Sequence, residues 1–281
     1  MKSIDINDYK NSLKLKLSSV IPGEYFDNYF NAFTASYNEI INTVNKDENI
    51  LDVGCGGGLL VNYLDVCGYK IEGFDNYLYN PHTKAINEVV NDKGLVKNSN
   101  IKDFKFTKKY DVIFMSNVIE HINDWEDNLN ILINYLNPSG RIILLLPNYS
   151  FPVEPHLMLP IIYNKEITYK IFKNKIINFE KIHNRKGIWE SLNFIKLKDL
   201  KKYFNKNDFE IKNDKEYFIR LIKLKVHNTL TKNIILKKKT SLFHKLLIFV
   251  SRIFLFLRLF DLFKFLPISC HPDIKIIAFK K

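Results

Sequence analysis

The densest chemical signal is a run of glycines. Asp52-Val53-Gly54-Cys55-Gly56-Gly57-Gly58 follows the apolar stretch Asn49-Ile50-Leu51 and precedes a helical one at 59–66. Glycine lets a backbone pass close to a ligand and take positive φ. The amides at the start of the following helix favour an anionic group. A dinucleotide pattern, G-x-G-x-x-G, fails on register, because the third glycine position after Gly54 and Gly56 is Leu59. The P-loop pattern is absent as well. What fits is D-x-G-x-G-x-G on Asp52, Gly54, Gly56 and Gly58. A second signal is Phe151-Pro152-Val153-Glu154-Pro155-His156. Two prolines would restrain Glu154 and His156. A neutral imidazole can take a hydroxyl proton near pH 7, oriented by the carboxylate. The alternative is a surface histidine in a proline-rich connection. Cys55, Cys67 and Cys270 have neither zinc spacing nor a disulfide framework.

The elements that must position these residues follow from periodicity. Residues 4–44 read as a helix laid over the fold, with Phe26, Tyr29, Phe30, Phe33 and Tyr37 on one face. Strands are expected at 49–53, 70–75, 94–101, 110–115 and 141–146, mostly with helices between them. That alternation implies right-handed crossovers and a parallel sheet, with ligands at the carboxyl ends of its strands. Pro147, Pro152, Pro155 and Pro160 mark a loop. Beyond it come a basic helical insertion at 161–188, a helix at 198–205, and strands at 209–218 and 273–281. His183 and Arg185 in the insertion either meet an anionic acceptor or are solvated. The organisation expected is a helical cap (1–48), a cofactor-binding core (49–146), an acceptor-side insertion (147–195), and the rest of the sheet (196–281).

The glycine pattern resembles that of the class I S-adenosylmethionine-dependent methyltransferases, over about residues 40–146 with a weaker echo at 194–218. The resemblance implies an α/β, Rossmann-like fold. Its sheet would have seven mostly parallel strands with helices on both faces, a helical insertion and a C-terminal amphipathic helix. It also implies S-adenosyl-L-methionine as cofactor. Asp75 would then bind the ribose hydroxyls, Asn100 and Ile101 would flank the adenine, and Ser116 and Asn117 would border the methionine moiety. The segment Ser116-Asn117-Val118-Ile119-Glu120-His121 resembles small-molecule O-methyltransferases of the ubiquinone-biosynthesis type. There Glu and His lie at the mouth of the cleft, and some members bind a divalent cation. Asn117 replaces that family's upstream acid, so no metal is expected here. The candidate catalytic residues are His156, Glu154 and His121. The expected reaction is O-methylation of a small or lipid- or glycan-linked acceptor. The alternatives are an RNA methyltransferase or a non-catalytic cofactor-binding partner protein.

The chain has 281 residues, 46% hydrophobic and 26% charged, which excludes disorder and collagen-like structure. No long apolar run follows Met1, so no signal peptide is read and a reducing cytoplasm is expected. Net charge is +12, and it is uneven. Residues 1–150 hold 14 Lys/Arg against 19 Asp/Glu, and residues 151–281 hold 28 against 11. A basic half suits nucleic acid, an acidic membrane or a phosphorylated substrate. No Asn/Asp-Pro-Pro-Tyr/Phe motif for base amino groups is present, which disfavours nucleic acid. Residues 241–264 are strongly apolar but carry Lys245, Arg252, Arg258 and Asp261, too many charges for a comfortable span. The polar residues recur at seven-residue spacing behind Lys237-Lys238-Lys239. That pattern reads as an interfacial helix on the anionic inner face of a membrane, or as a helix in a homodimer contact or on the core.

Overall fold

Two helices open the chain, α1 (Ile6–Leu17) and α2 (Gly23–Ile40), where the aromatic spacing predicts one. Pro22 is the reason: it has no amide hydrogen to donate and disfavours helical backbone at the residue before it. It stands instead immediately before α2, in extended conformation. There follow β1 (Asn49–Val53), α3 (Leu59–Val66), β2 (Lys70–Asp75), α4 (Thr83–Val90), β3 (Val96–Asn98), β4 (Tyr110–Ser116), α5 (Trp125–Asn134) and β5 (Leu136–Pro147). The insertion holds β6 (Val153–Glu154), β7 (Leu159–Pro160), α6 (Lys165–Ile182) and α7 (Ile188–Ser191). The chain closes with α8 (Leu197–Lys206), β8 (Phe209–Asp214), α9 (Tyr217–Leu236) and β9 (Asp273–Lys280). The computed structural model describes residues 4–78, 82–236 and 258–281. Residues 237–257, and with them most of the expected amphipathic helix, lie outside the described residues. Its described end contains a 3-10 helix, Leu259–Phe265.

Seven strands form one sheet in the order β3-β2-β1-β4-β5-β9-β8. The first five are parallel, and β9 runs antiparallel to both its neighbours. This is the Rossmann-like α/β fold expected, with two local differences. The strand expected at 94–101 is only three residues long. At its first residue the Asn91 side chain accepts the Val96 N–H (3.0 Å) and donates to the Val96 carbonyl (2.8 Å). The strand expected at 209–218 stops at Asp214, whose carboxylate accepts the Glu216 N–H and turns the chain into α9.

Side chains alternate across the pleat. In β5, Ile143 and Leu145 enter a core shared with α1, α2, α3 and α4. Ile142, Leu144 and Leu146 enter a second core, with α5 and α8. A third cluster, Tyr149, Leu159, Ile176, Trp189 and Leu192, holds the insertion together.

One buried charge breaks this apolar pattern. Lys275 of β9 is 3% exposed, and its Nζ donates to the carbonyl (2.8 Å) and carboxylate (3.1 Å) of Glu39, near the end of α2. Arg220 of α9 grips the same carboxylate through Nε (2.8 Å) and Nη2 (2.5 Å) and also binds Asp214. Removing one partner of a buried pair strands the other charge, at a cost of about 3–5 kcal/mol. Glu39→Ala should therefore lose about that much stability in urea unfolding. Lys275→Met should lose less, because Glu39 keeps Arg220.

Candidate active site

Two adjoining cavities, of about 770 and 780 Å³, lie at the carboxyl edge of the parallel strands. They share Gly54, Gly56, Asn117, Lys225 and Asp273. Helices α2 and α9 wall the first with Tyr29, Ala32, Ser36, Tyr217 and Leu221, and Asp52 and Ser116 line it from the sheet. The second runs from Asp75, Asn100 and Ile101 to His121, His156 and Arg185.

The loop after β1 is built for close approach. Gly54 takes φ +69°, and a Cβ there would lie 2.4 Å from Val118 Cγ2. Gly58 (φ +80°) heads α3, where a Cβ would lie 2.7 Å from Val96 Cγ2; it shapes the turn and lines neither cavity. The Gly56 N–H donates to Asp75 Oδ2 (2.9 Å), and the Tyr77 N–H donates to Oδ1 (2.6 Å). Each carboxylate oxygen keeps a further lone pair, as two ribose hydroxyls require. Burial raises the Asp75 pKa against those two amide bonds, and burial with the Asp75 charge raises that of Asp52 further. Asn100 is tied into its own turn through Asp103, and Ile101 is buried beside it. Ser116 Oγ accepts from Ser36 of α2 (3.1 Å). Asn117 takes left-handed backbone (φ +54°) where the two cavities meet. The loop, the acid and the cavity together fit an adenosyl cofactor.

At the other end of the second cavity the structure brings together Glu154, His156, His121 and Glu120. Glu154 is fully buried and only accepts: from the His156 and Leu157 amides, the Tyr149 hydroxyl and His156 Nδ1 (2.6 Å). Four donors around one carboxyl mark it as ionised, so Nδ1 of His156 carries a hydrogen and Nε2 is the basic nitrogen. Burial pulls the His156 pKa down, but the bond to Glu154 and the charges of Glu154 and Glu120 outweigh it, and the net shift is upward. Ser191 Oγ donates to the Ile188 carbonyl and so accepts from His121 Nδ1 (2.8 Å). Burial, then the charges of His156 and Arg185, push the His121 pKa down to about 3, leaving a neutral ring that is a poor proton acceptor. The imidazoles of His121 and His156 meet edge to face at 5.3 Å.

Glu120, which the resemblance implied at the mouth of the cleft, lines neither of the two cavities. It is fully buried with neither oxygen hydrogen-bonded among the described residues, and burial pushes its pKa up to about 7. Its Oε1 lies 4.0 Å from His156 Nε2. Ligand atoms of Glu120, His121 and His156 all lie within 4.8 Å of one another, close enough to converge on one cation. Lys225 and Asp273, an ion pair at 3.7 Å lining both cavities, were unforeseen. The antiparallel sense of β9 held the clue: its first residue, Asp273, pairs with Pro147 at the end of β5 and so reaches the ligand edge.

A family model described as "Methyltransferase domain" matches residues 25–213, more than half of the chain. The chain belongs to that family. A ubiquinone biosynthesis O-methyltransferase of Rickettsia canadensis is 30% identical to this methyltransferase-domain protein over 173 residues, 60% of this chain and 69% of the relative. An uncharacterized protein of Mycobacterium tuberculosis is 29% identical over 168 residues, and the match spans 56% of each chain. The phosphoethanolamine N-methyltransferase 2 of Haemonchus contortus, solved with phosphomonomethylethanolamine and S-adenosylhomocysteine, shares the fold. Its TM-score is 0.52 at 13% identity, over 99% of this chain and 60% of that one. Family, sheet order and cleft agree on a class I S-adenosylmethionine-dependent methyltransferase domain, with S-adenosylmethionine as its cofactor.

Asp75→Asn should weaken S-adenosylhomocysteine binding by about tenfold to a hundredfold in calorimetry. That is the scale of one charge-assisted hydrogen bond, roughly 1.5–3 kcal/mol. An unchanged affinity would remove Asp75 from the ribose site.

Proposed function

We propose that this protein methylates a hydroxyl oxygen of a small or lipid- or glycan-linked acceptor, with His156 as the general base. The observation that carries the reading is the bond from His156 Nδ1 to the buried carboxylate of Glu154, which presents Nε2 as the proton acceptor in a cavity continuous with the cofactor cleft. Asp75 would hold the ribose, Asn100 and Ile101 would flank the adenine, and Asp52, Ser116 and Asn117 would border the methionine end. Bound S-adenosylmethionine supplies a methyl group on a positively charged sulfur, already activated for attack. The protein aligns the acceptor oxygen. His156 Nε2 takes its proton, and the Glu154 carboxylate stabilises the imidazolium that results. Glu154 touches no acceptor and acts as a positioning residue.

His156→Ala should lower methyl transfer by about a hundredfold, the low end of general-base catalysis, while leaving S-adenosylhomocysteine affinity unchanged. Radiolabelled methyl transfer across a panel of phenolic and glycan acceptors measures it. EDTA should leave turnover intact. Loss on chelation, with recovery on adding zinc or manganese, would reassign Glu120, His121 and His156 to a cation.

Residues 237–264 support a further part of the reading, that the enzyme works at the cytoplasmic face of an anionic membrane. The support is Lys237-Lys238-Lys239, the polar stripe behind them, and the exposure of Leu262 (58%) and Phe265 (75%) beside Lys264. No helix among the described residues is long and apolar enough to cross a membrane. Each basic residue at such a surface contributes about 1 kcal/mol, screened by salt. Reversing the three lysine charges should therefore reduce flotation with anionic vesicles more than with neutral ones. Wild-type protein that never floats with lipid would end this part of the proposal.

A further inference from the structure

Arg185 stands in the turn between α6 and α7. Its N–H donates to the Glu180 carbonyl (2.9 Å), and its carbonyl accepts from Ile188 (3.2 Å), so its backbone is held at both ends. The side chain is half-buried and lines the second cavity with His121, Pro155, His156 and Ile188. Its guanidinium has no hydrogen bond or ion pair among the described residues. The other cations lining that cavity are matched: Lys102 with Asp124 (3.4 Å) and Lys225 with Asp273 (3.7 Å). The carboxylates there are engaged too: Asp75 by two amides, Asp103 by Asn100, and Asp273 by Lys225. Arg185 is therefore the one Lys or Arg lining that cavity without an ion-pair partner among the described residues, and it offers a planar fork of donors.

An unpaired charge withdrawn from water is costly, and a guanidinium matches a carboxylate or phosphate through two parallel hydrogen bonds. The methionine carboxylate of the cofactor does not meet this demand. Arg185 lines the second cavity beside His121 and His156, whose proton affinity its charge lowers, and it is absent from the first cavity, where Asp52 and Ser116 mark the methionine end. We propose that Arg185 anchors an anionic group of the methyl acceptor, a carboxylate or a phosphate, while the acceptor hydroxyl lies at His156. This rests on the acceptor site proposed above and narrows its substrate class to hydroxy compounds carrying an acid group.

The test reads the imidazole resonances of His121 and His156 in the protein saturated with S-adenosylhomocysteine. Benzoate and inorganic phosphate are titrated as probes, with benzamide as the neutral control. Wild type should show saturable shifts with at least one anion and none with benzamide, and the tighter anion identifies the acid group. Arg185→Gln should raise the midpoint tenfold or more. Arg185→Lys, which keeps the charge but loses the fork, should fall between. Three results overturn the proposal: no saturable shift with either anion, an equal shift with benzamide, or the same midpoint in Arg185→Gln. Binding of S-adenosylhomocysteine is followed in the same samples. Its absence would instead overturn the methyltransferase reading, so the two failures are separable.

Discussion

The ammonium of Lys275 is buried on β9, one strand in from the edge of the sheet, and two helices over the cofactor cleft answer to it. The charge is tolerable only if a carboxylate comes to it. Glu39 comes from the last turn of α2 and ties that end of the helix to the sheet, as Ser36 does at Ser116. Arg220 shares the same carboxylate and brings the first turns of α9 to the same place. Since α2 and α9 supply walls of the first cavity, one acid ties both of those walls to the sheet. The apolar faces of these helices provide most of the burial, but apolar contact is not directional and would accept many placements.

The second end of the cleft shows how burial sorts chemically similar groups. Two histidines stand ring to ring, and their surroundings drive them apart. His121, hydrogen-bonded to a neutral serine, stays uncharged. His156, hydrogen-bonded to an ionised carboxylate, favours a proton. The two glutamates differ in the same way. Glu154 is surrounded by donors, whereas Glu120 has none among the described residues and becomes a weaker acid. Burial and partners together thus give side chains of two chemical kinds different proton affinities.

Much of this was legible in the sequence where local geometry decides. The positions of Gly54, Gly56 and Gly58 follow from backbone that only glycine adopts easily. The pairing of Glu154 with His156 follows from two residues held by Pro152 before them and Pro155 between them, and the aliphatic runs of β1, β4 and β5 follow from burial on both faces. Where a local signal competed with a longer pattern, reading failed. Pro22 splits a helix that the aromatic spacing continues, and a single side-chain turn at Asp214 ends a strand that composition would extend. Long-range partners left no trace. Nothing near Lys275 announces that it is buried, and nothing near Glu120 announces that His156, 36 positions away, will face it.

The short strand at one side of the sheet has a consequence for how these molecules meet one another. An open sheet exposes a row of backbone donors and acceptors along its rim, a template for a neighbouring chain. Here that rim is three residues long, and the Asn91 amide satisfies both backbone groups of Val96, as a further strand would. The opposite rim, β8, presents alternating Glu210 and Lys212. Neither side invites cross-strand aggregation, so a copy of this chain would find its contacts on helical surfaces rather than by lengthening the sheet.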